Sequence, residues 1–572
     1  MNVEFMSPSI VERIKKSGEV ILLFVLVILT AFFFGCKLQS NPSTIIEHPN
    51  VLFIIVDDLN DYQGVLGGHP QVRTPHIDKF AKTGTIFSNG HTNVPVCSPS
   101  RNSLFTGVYP HNSRDFGWTP HYKQAVLKNR KTFIELFKEN GYKTFGTGKL
   151  LHKNVKSYWT EWGVPEGINY GPHAYSGIDE NQKRIIGHSS VKEPFRSINV
   201  VDGSFAPLSD TPVAKDSLGN NRKTGWTYGN KPYRYLTDDD RDLMPDELHA
   251  EWVENKIKAL EKGKASMPFF MGVGFVKPHT PLYAPKHYFE MYPLDSIKMP
   301  ITKERDVDDV YYSTVYEPSE MGLAYYRKLR LAYPDGDEGL RKFLQAYLAC
   351  VTFVDDQIGK VINALDNSKF KDNTIVVLVS DHGWQMGEKD YLYKNSPWDE
   401  STRIPYIIRY PLRSVPGSKV NQAVSLIDLY PTFKELCMLK GSLTQDGSDA
   451  KLDGFSLAPF LKTTKTTSWE GPNGALTVLG AGINKPIEGV GFSSNPSAAW
   501  HIEITKDLDT SYVHQQNYTY RTKDWRYILY KNGKEELYHI KNDSYQWLNL
   551  ANNSKFIKIK NQLKAEMLTL IK

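Results

Sequence analysis

Four short apolar runs, each ending in charged or metal-ligating residues, constrain this chain more than any other feature. Val51 to Val56 is a continuous aliphatic and β-branched stretch that stops at Asp57-Asp58. Thr374 to Val379 repeats the design and runs into Ser380-Asp381-His382-Gly383. Phe269 to Val276 leads to Lys277-Pro278-His279, and Tyr142 to Gly146 leads to Gly148-Lys149 and His152. Unbroken apolar runs without polar alternation read as strands covered on both faces, the condition of a parallel sheet between helix layers. In an open α/β sheet, ligands gather beyond the carboxyl ends of the strands, so these endings predict one shared functional edge.

Helical periodicity fills the gaps. Thr132 to Asn140 closes on Gly141, a C′ signal, and Asp246 to Lys262 and Leu340 to Leu365 carry the same period. Residues 155–245 and 295–335 lack periodicity and read as irregular insertions that shape a pocket. Beyond Leu439 the composition changes. Tyr518 to Thr522, Tyr527 to Tyr530 and Glu536 to Ile540 read as strands, and Ser554 to Ile571 as a helix. The expected fold class is α/β: a large, mostly parallel or mixed sheet sandwiched by helices, with a smaller C-terminal α+β subdomain. The expected boundaries are 1–36 signal peptide, 37–48 tether, 49–439 catalytic domain, 440–468 linker and 469–572 C-terminal subdomain.

Arg13, Lys15 and Lys16 precede an apolar run from Val20 to Phe34 that suits a signal-peptide core and is short for a spanning helix. Gly35-Cys36 resembles a lipobox, which would make Cys36 an acylated N-terminus; plain secretion or an uncleaved anchor are the alternatives. Each of these readings exports the body of the protein, as a lipoprotein tethered in a bacterial periplasm or at the cell surface, or free of the membrane. A net charge of +6 over 572 residues is small, and no basic helix or aromatic-basic repeat points to nucleic acid. Cys350 and Cys437 sit in apolar helical patterns that favour buried free thiols, and spacing gives a disulfide between them no support.

The stretch Cys97 to Gly107 reads C-S-P-S-R-N-S-L-F-T-G. A Cys with Pro two places on, Arg four places on and then Thr-Gly resembles the motif of sulfatases, in which an external enzyme oxidises the Cys to formylglycine (3-oxoalanine). The hydrated aldehyde is a gem-diol, a nucleophile that no ordinary side chain provides. With V-D-D-L-N-D, G-K-L-L-H, G-F-V-K-P-H-T-P and S-D-H-G-W-Q-M-G-E-K, the chain from about Val51 to Leu436 is similar to the type I, formylglycine-dependent sulfatases of the alkaline-phosphatase superfamily, nearest their iduronate-2-sulfatase-like branch.

The resemblance implies a set of roles, taken position by position. Asp57, Asp58, Asp381 and His382, joined by the modified Cys97, would bind one calcium ion; imidazole is a softer ligand than that ion usually takes. Arg101 would hold the diol, and Lys149 and Lys394 would clamp the sulfate oxygens. His279 would protonate the leaving oxygen, and His152 would take the proton from the diol. Lys389 stands where the family commonly has His, which leaves Lys394 as the second lysine. His173, His188 and the tyrosines of the 155–245 insertion are candidate sugar contacts, and His514, Arg521 and Trp525 of the second module are candidates to reach the pocket from the side. The implied activity is a sulfuric ester hydrolase on a sulfated carbohydrate, such as ulvan, another algal polysaccharide or a glycosaminoglycan. Its partners would be that substrate, a formylglycine-generating maturation enzyme and, through Cys36, a membrane. A phosphate or phosphonate ester hydrolase on the same scaffold and a non-catalytic glycan-binding lipoprotein are the competing readings.

Overall fold

The computed structural model describes residues 48–571 apart from 125, 166, 168, 175–186, 213, 216–220, 223–224, 229–230, 264–266, 317, 319, 336, 412, 464–468 and 481–514. The expected targeting segment with Cys36, and His514, lie outside the described residues.

The elements used below are, in chain order, strands β1 (Asn50–Val56), β2 (Thr85–Phe87), β3 (Lys143–Gly148), β4 (Glu161–Trp162), β5 (Phe269–Phe275), β6 (Thr374–Ser380), β7 (Tyr406–Arg409) and β8 (Ser418–Val420). The C-terminal strands are β9 (Ala475–Leu479), β10 (Asn517–Arg521), β11 (Trp525–Leu529) and β12 (Glu535–His539). The helices are α1 (Cys97–Thr106), α2 (Phe133–Glu139), α3 (Pro245–Lys262), α4 (Met321–Ala332), α5 (Glu338–Asp366), α6 (Leu429–Leu436) and α7 (Ile557–Leu570).

The first eight strands form one sheet in the order β8-β2-β7-β6-β1-β5-β3-β4. β6, β1, β5 and β3 lie side by side and parallel, with Val51 level with Phe270 and with Ile375. The four endings seen in the sequence therefore emerge at one edge. β7 runs antiparallel to β6, which makes the sheet mixed.

Alternation along β1 divides its side chains between two layers. Leu52, Ile54 and Val56 join a core built with α3 and α5, whereas Val51, Phe53 and Ile55 face α1, α2 and α6. Phe53 lies edge-on to Phe105, Phe133 and Phe433 at 5.8, 5.8 and 6.2 Å, a geometry that the ring quadrupole favours. Thr132 and Glu135 form a capping box at the start of α2, and Gly141 takes φ 84° just past its end, as the C′ signal predicts.

The C-terminal strands make an antiparallel sheet, β9-β10-β11-β12, that packs α7 through Leu563 and Met567. Two readings change. Residues 295–335 are not wholly irregular: α4 occupies Met321–Ala332, started by the Glu320 carboxylate accepting the Gly322 and Leu323 N–H groups. Its pattern was obscured because tyrosine and arginine cover part of its face and a glycine opens it. β9 also escaped notice, since among the described residues its ladder partner is β10, some forty positions downstream. Cys350 and Cys437 are buried free thiols.

Candidate active site

Strand ends place the carboxylates. The Asp57 N–H donates to the Phe275 carbonyl and the Asp381 N–H to the Val56 carbonyl, at 3.1 Å each, so the ladder extends one residue past β1 and β6. Asp58 then turns with φ 57°, a left-handed conformation, and its N–H donates to Asp381 Oδ1 at 3.3 Å. Tyr347 of α5 secures that turn, its hydroxyl donating to the Asp58 carbonyl at 2.7 Å. Local strain is thus held by packing from a long helix.

Cys97 is the first residue of α1, whose ten residues are all buried. Its Sγ lies 3.2 Å from His382 Nε2 and 3.0 Å from Lys394 Nζ. Helix N-termini favour negative charge, which suits this position to an oxyanion. The His382 Nδ1–H donates to the Gly383 carbonyl at 3.0 Å, which leaves the Nε2 lone pair facing Cys97 and Asp58. That is how a ligating imidazole is usually oriented.

Arg101, fully buried one turn along α1, reaches Asp381 at 2.8 Å and Asp57 at 3.3 Å, and donates to the Lys149 and Leu150 carbonyls. Lys149 pairs with Asp57, and Lys394 with Asp58 at 2.8 Å. His279 Nε2 stands 3.8 Å from Asp58, while its Nδ1–H donates to the Thr280 carbonyl. Tyr170, from the irregular insertion, lies between two of these groups: its ring centroid is 4.9 Å from Lys149 Nζ and 5.1 Å from the His279 ring. The sequence offers the tyrosines of this insertion only as a group of candidate sugar contacts; nothing in an aperiodic segment singles out Tyr170.

Burial and charge set the protonation states. Burial alone would raise Asp57, but Lys149, His279, Arg101 and Lys394 hold it well below the usual carboxylate range. Asp58 is pushed up to about 8, chiefly by burial, with Lys394 opposing and Asp57 adding. Burial also raises the Cys97 thiol, with Asp57 adding, so an unmodified Cys97 is a neutral and weak nucleophile. Against the cost of burial, the neighbouring Asp58 raises Lys394 well above the ordinary ammonium range. Burial, aided by Lys149, drops His152 to about 3; its ring lies 5.0 Å from Trp118 and its Nδ1 accepts no hydrogen bond among the described residues.

The donor set fits a hard divalent cation. Ligand atoms of Asp57, Cys97, Asp381 and His382 lie within 4.8 Å of one another, as do those of Asp57, Asp58, Cys97 and His279. Asp58 Oδ2 is buried with no hydrogen-bond partner among the described residues, an oxygen that an ion would satisfy.

The sulfatase family profile matches residues 49–437. A sulfatase of Formosa agariphila is 30% identical over 522 residues, covering 89% of this chain and 84% of its own. The chain belongs to the sulfatase family. Mouse iduronate 2-sulfatase is 30% identical over 432 residues, 70% of each chain, which agrees with the iduronate-like reading of the motifs. Among solved structures, a phosphonate monoester hydrolase of Agrobacterium radiobacter superposes with a TM-score of 0.62 over 91% of this chain and 95% of its own, at 19% identity, a likeness of fold.

The remaining candidates of this sulfatase fall away from the cluster. Lys389 is buried against Asp306 at 2.7 Å and donates to the Gln546 carbonyl. His188 bonds Ser190 and the Asp210 carbonyl inside the insertion's core, so it is not a sugar contact. His173 pairs with Thr227 in a small three-stranded sheet. Arg521 pairs with Asp399 at 3.4 Å, and the Trp525 ring lies tilted against His539 with centroids 4.4 Å apart.

Proposed function

We propose that this sulfatase removes sulfate from a sulfated carbohydrate, using formylglycine at position 97 and a calcium ion. The observation that carries the reading is the placement of Cys97: a buried thiol at a helix start, touching Lys394 and His382 within a cage of three carboxylates. Formylglycine there, in its hydrated form, supplies the hydroxyl nucleophile that the raised thiol lacks. Asp57, Asp58, Asp381 and His382 would hold the calcium ion, which would supply Lewis-acid polarisation of a sulfate and lower the cost of gathering anions.

The chain's own residues do the rest. Lys149 and Lys394 present fixed ammonium groups to a sulfate, and burial strengthens their pull. His279 faces the same space with Nε2. Burial, helped by Lys394, keeps its pKa well below the ordinary value in the free site, but an arriving sulfate ester adds negative charge and favours the protonated ring. So protonated, Nε2–H can donate to the leaving oxygen. His152, neutral and with an unengaged Nδ1, can accept a proton from the diol.

The sugar assignment draws on the likeness to iduronate 2-sulfatase, whose name specifies a uronic acid, and on the irregular insertion that walls the site with Tyr170. We further propose export, with Cys36 as the point of lipid attachment; none of the helices among the described residues is long and apolar enough to cross a membrane. The test is release of inorganic sulfate from defined sulfated oligosaccharides by matured protein, compared with phosphate release from the matching phosphate esters. A higher kcat/KM for the sulfates is expected; a clear phosphate preference would overturn the assignment.

A further inference from the structure

Just past His279 the chain makes a short loop, Lys277-Pro278-His279-Thr280-Pro281, and its side chains are fixed from the irregular insertion. The Thr280 hydroxyl donates to Asp202 Oδ1 at 2.5 Å. The other oxygen, Asp202 Oδ2, accepts from Tyr325 of α4 at 2.8 Å and from Asn199 at 2.9 Å. Asn199 in turn accepts the Val201 and Asp202 N–H groups through its Oδ1, at 2.8 and 2.7 Å, which closes the turn that carries Asp202. Asp202 is 9% exposed and Thr280 1%. Among the described residues, the side-chain hydrogen bonds to this carboxylate come from three neutral donors on separate segments.

The second contact of Thr280 gives the network its direction. Its carbonyl accepts the Nδ1–H of His279, so one residue is held through its hydroxyl and holds the imidazole through its carbonyl. Lys277, buried at the start of the loop, donates to the Pro281 carbonyl and lies 3.4 Å from the His279 carbonyl, bracing the same turn from inside.

We propose that Asp202 and Thr280 are positioning residues for the proton transfer by His279, setting the imidazole so that Nε2 faces the ester oxygen. The inference rests on the reading of His279 as general acid. A buried carboxylate without a cationic partner is costly, and here it fixes a loop whose orientation decides the reaction geometry. Misplacement of a catalytic group by about 1 Å costs on the order of a hundredfold in rate.

The experiment compares wild type, Thr280→Val, Thr280→Ser and His279→Ala on a sugar sulfate and on 4-nitrophenyl sulfate, whose leaving group departs without a proton. Thr280→Val keeps the shape and deletes the donor. It should lower kcat on the sugar sulfate roughly ten- to hundredfold, with KM and Tm near wild type, and lose less than about threefold on the aryl ester, where general acid help is not needed. Thr280→Ser should restore the sugar sulfate rate. Equal losses on both esters, a loss confined to KM, or wild-type rates in Thr280→Val would overturn the proposal. If His279→Ala instead fails equally on both esters, the general-acid reading itself is wrong, whatever Thr280 does.

Discussion

Arg101 shows how much of the site is structural before it is catalytic. Its guanidinium is fully buried and spans two carboxylates and two carbonyls, so it ties α1 to the ends of β1, β3 and β6. Arg101→Met should therefore destabilise the fold as well as the chemistry. Breaking a buried pair leaves uncompensated charge and costs about 3–5 kcal/mol, a loss that urea denaturation would register. At this scale the sequence was informative wherever chemistry forced neighbours together: Asp57-Asp58 and Asp381-His382 are adjacent in the chain because the ends of parallel strands offer few positions. Tyr170 was legible only as one of the insertion's tyrosines, and Asp202 and Thr280 were not legible. Their contacts span 78 residues in one case and arise from a segment whose conformation has no periodic signature.

Among elements, the seven strands expected from the sequence lie within a residue or two of β1, β3, β5, β6, β10, β11 and β12, and unbroken apolar runs in the covered sheet left little alternative. The helices α1 and α4 and the strands β2, β4, β7, β8 and β9 depended on tertiary partners and were missed. The C-terminal sheet also has a role that sequence did not suggest. Arg526 of β11 donates to the Pro397 carbonyl and to Asp399, and Glu536 of β12 accepts from Trp398 at 3.2 Å. Burial alone would raise Asp399, but Arg526 and Arg521 hold it well below the usual carboxylate range. This grip falls on the segment just after Lys394. Arg526→Ala should cost about 3–5 kcal/mol in stability and also reduce kcat, measured at a temperature where the variant remains folded.

Helix α3 gives a pH prediction. Burial lowers His249 to about 3; its Nδ1 lies 2.9 Å from the Thr147 hydroxyl on β3. The folded chain refuses a proton that the unfolded chain accepts below about pH 6.5, so this residue's contribution is fully present above that pH and is lost as pH falls toward the folded value. Relative to His249→Gln, wild type should lose about 1.4 kcal/mol per pH unit between roughly pH 6 and 4. A difference in stability that stays flat with pH would contradict the assignment.

At the scale of the molecule, one unit from Glu47 to Lys572 brings the sheet edge, α1 and the C-terminal strands to a single site. Asp57, Asp58 and Asp381 meet Arg101, Lys149 and Lys394 there, and the orphan oxygen of Asp58 is left for an ion. A ligand that binds only the folded state adds about 2.7 kcal/mol at a hundredfold excess over its Kd. Chelation should accordingly lower both Tm and turnover, and added calcium should restore both; a Tm indifferent to chelator and calcium alike would argue against an ion in this cage.

The claim beneath all of this is that the residue at position 97 works as an aldehyde and not as a thiol. The direct measurement is to prepare the enzyme with graded extents of maturation, determine the fraction of the Cys97 peptide converted to formylglycine by mass spectrometry, and measure sulfate release from each sample. Turnover should rise in proportion to that fraction and extrapolate to zero for the thiol form. Equal rates from converted and unconverted protein would contradict the account.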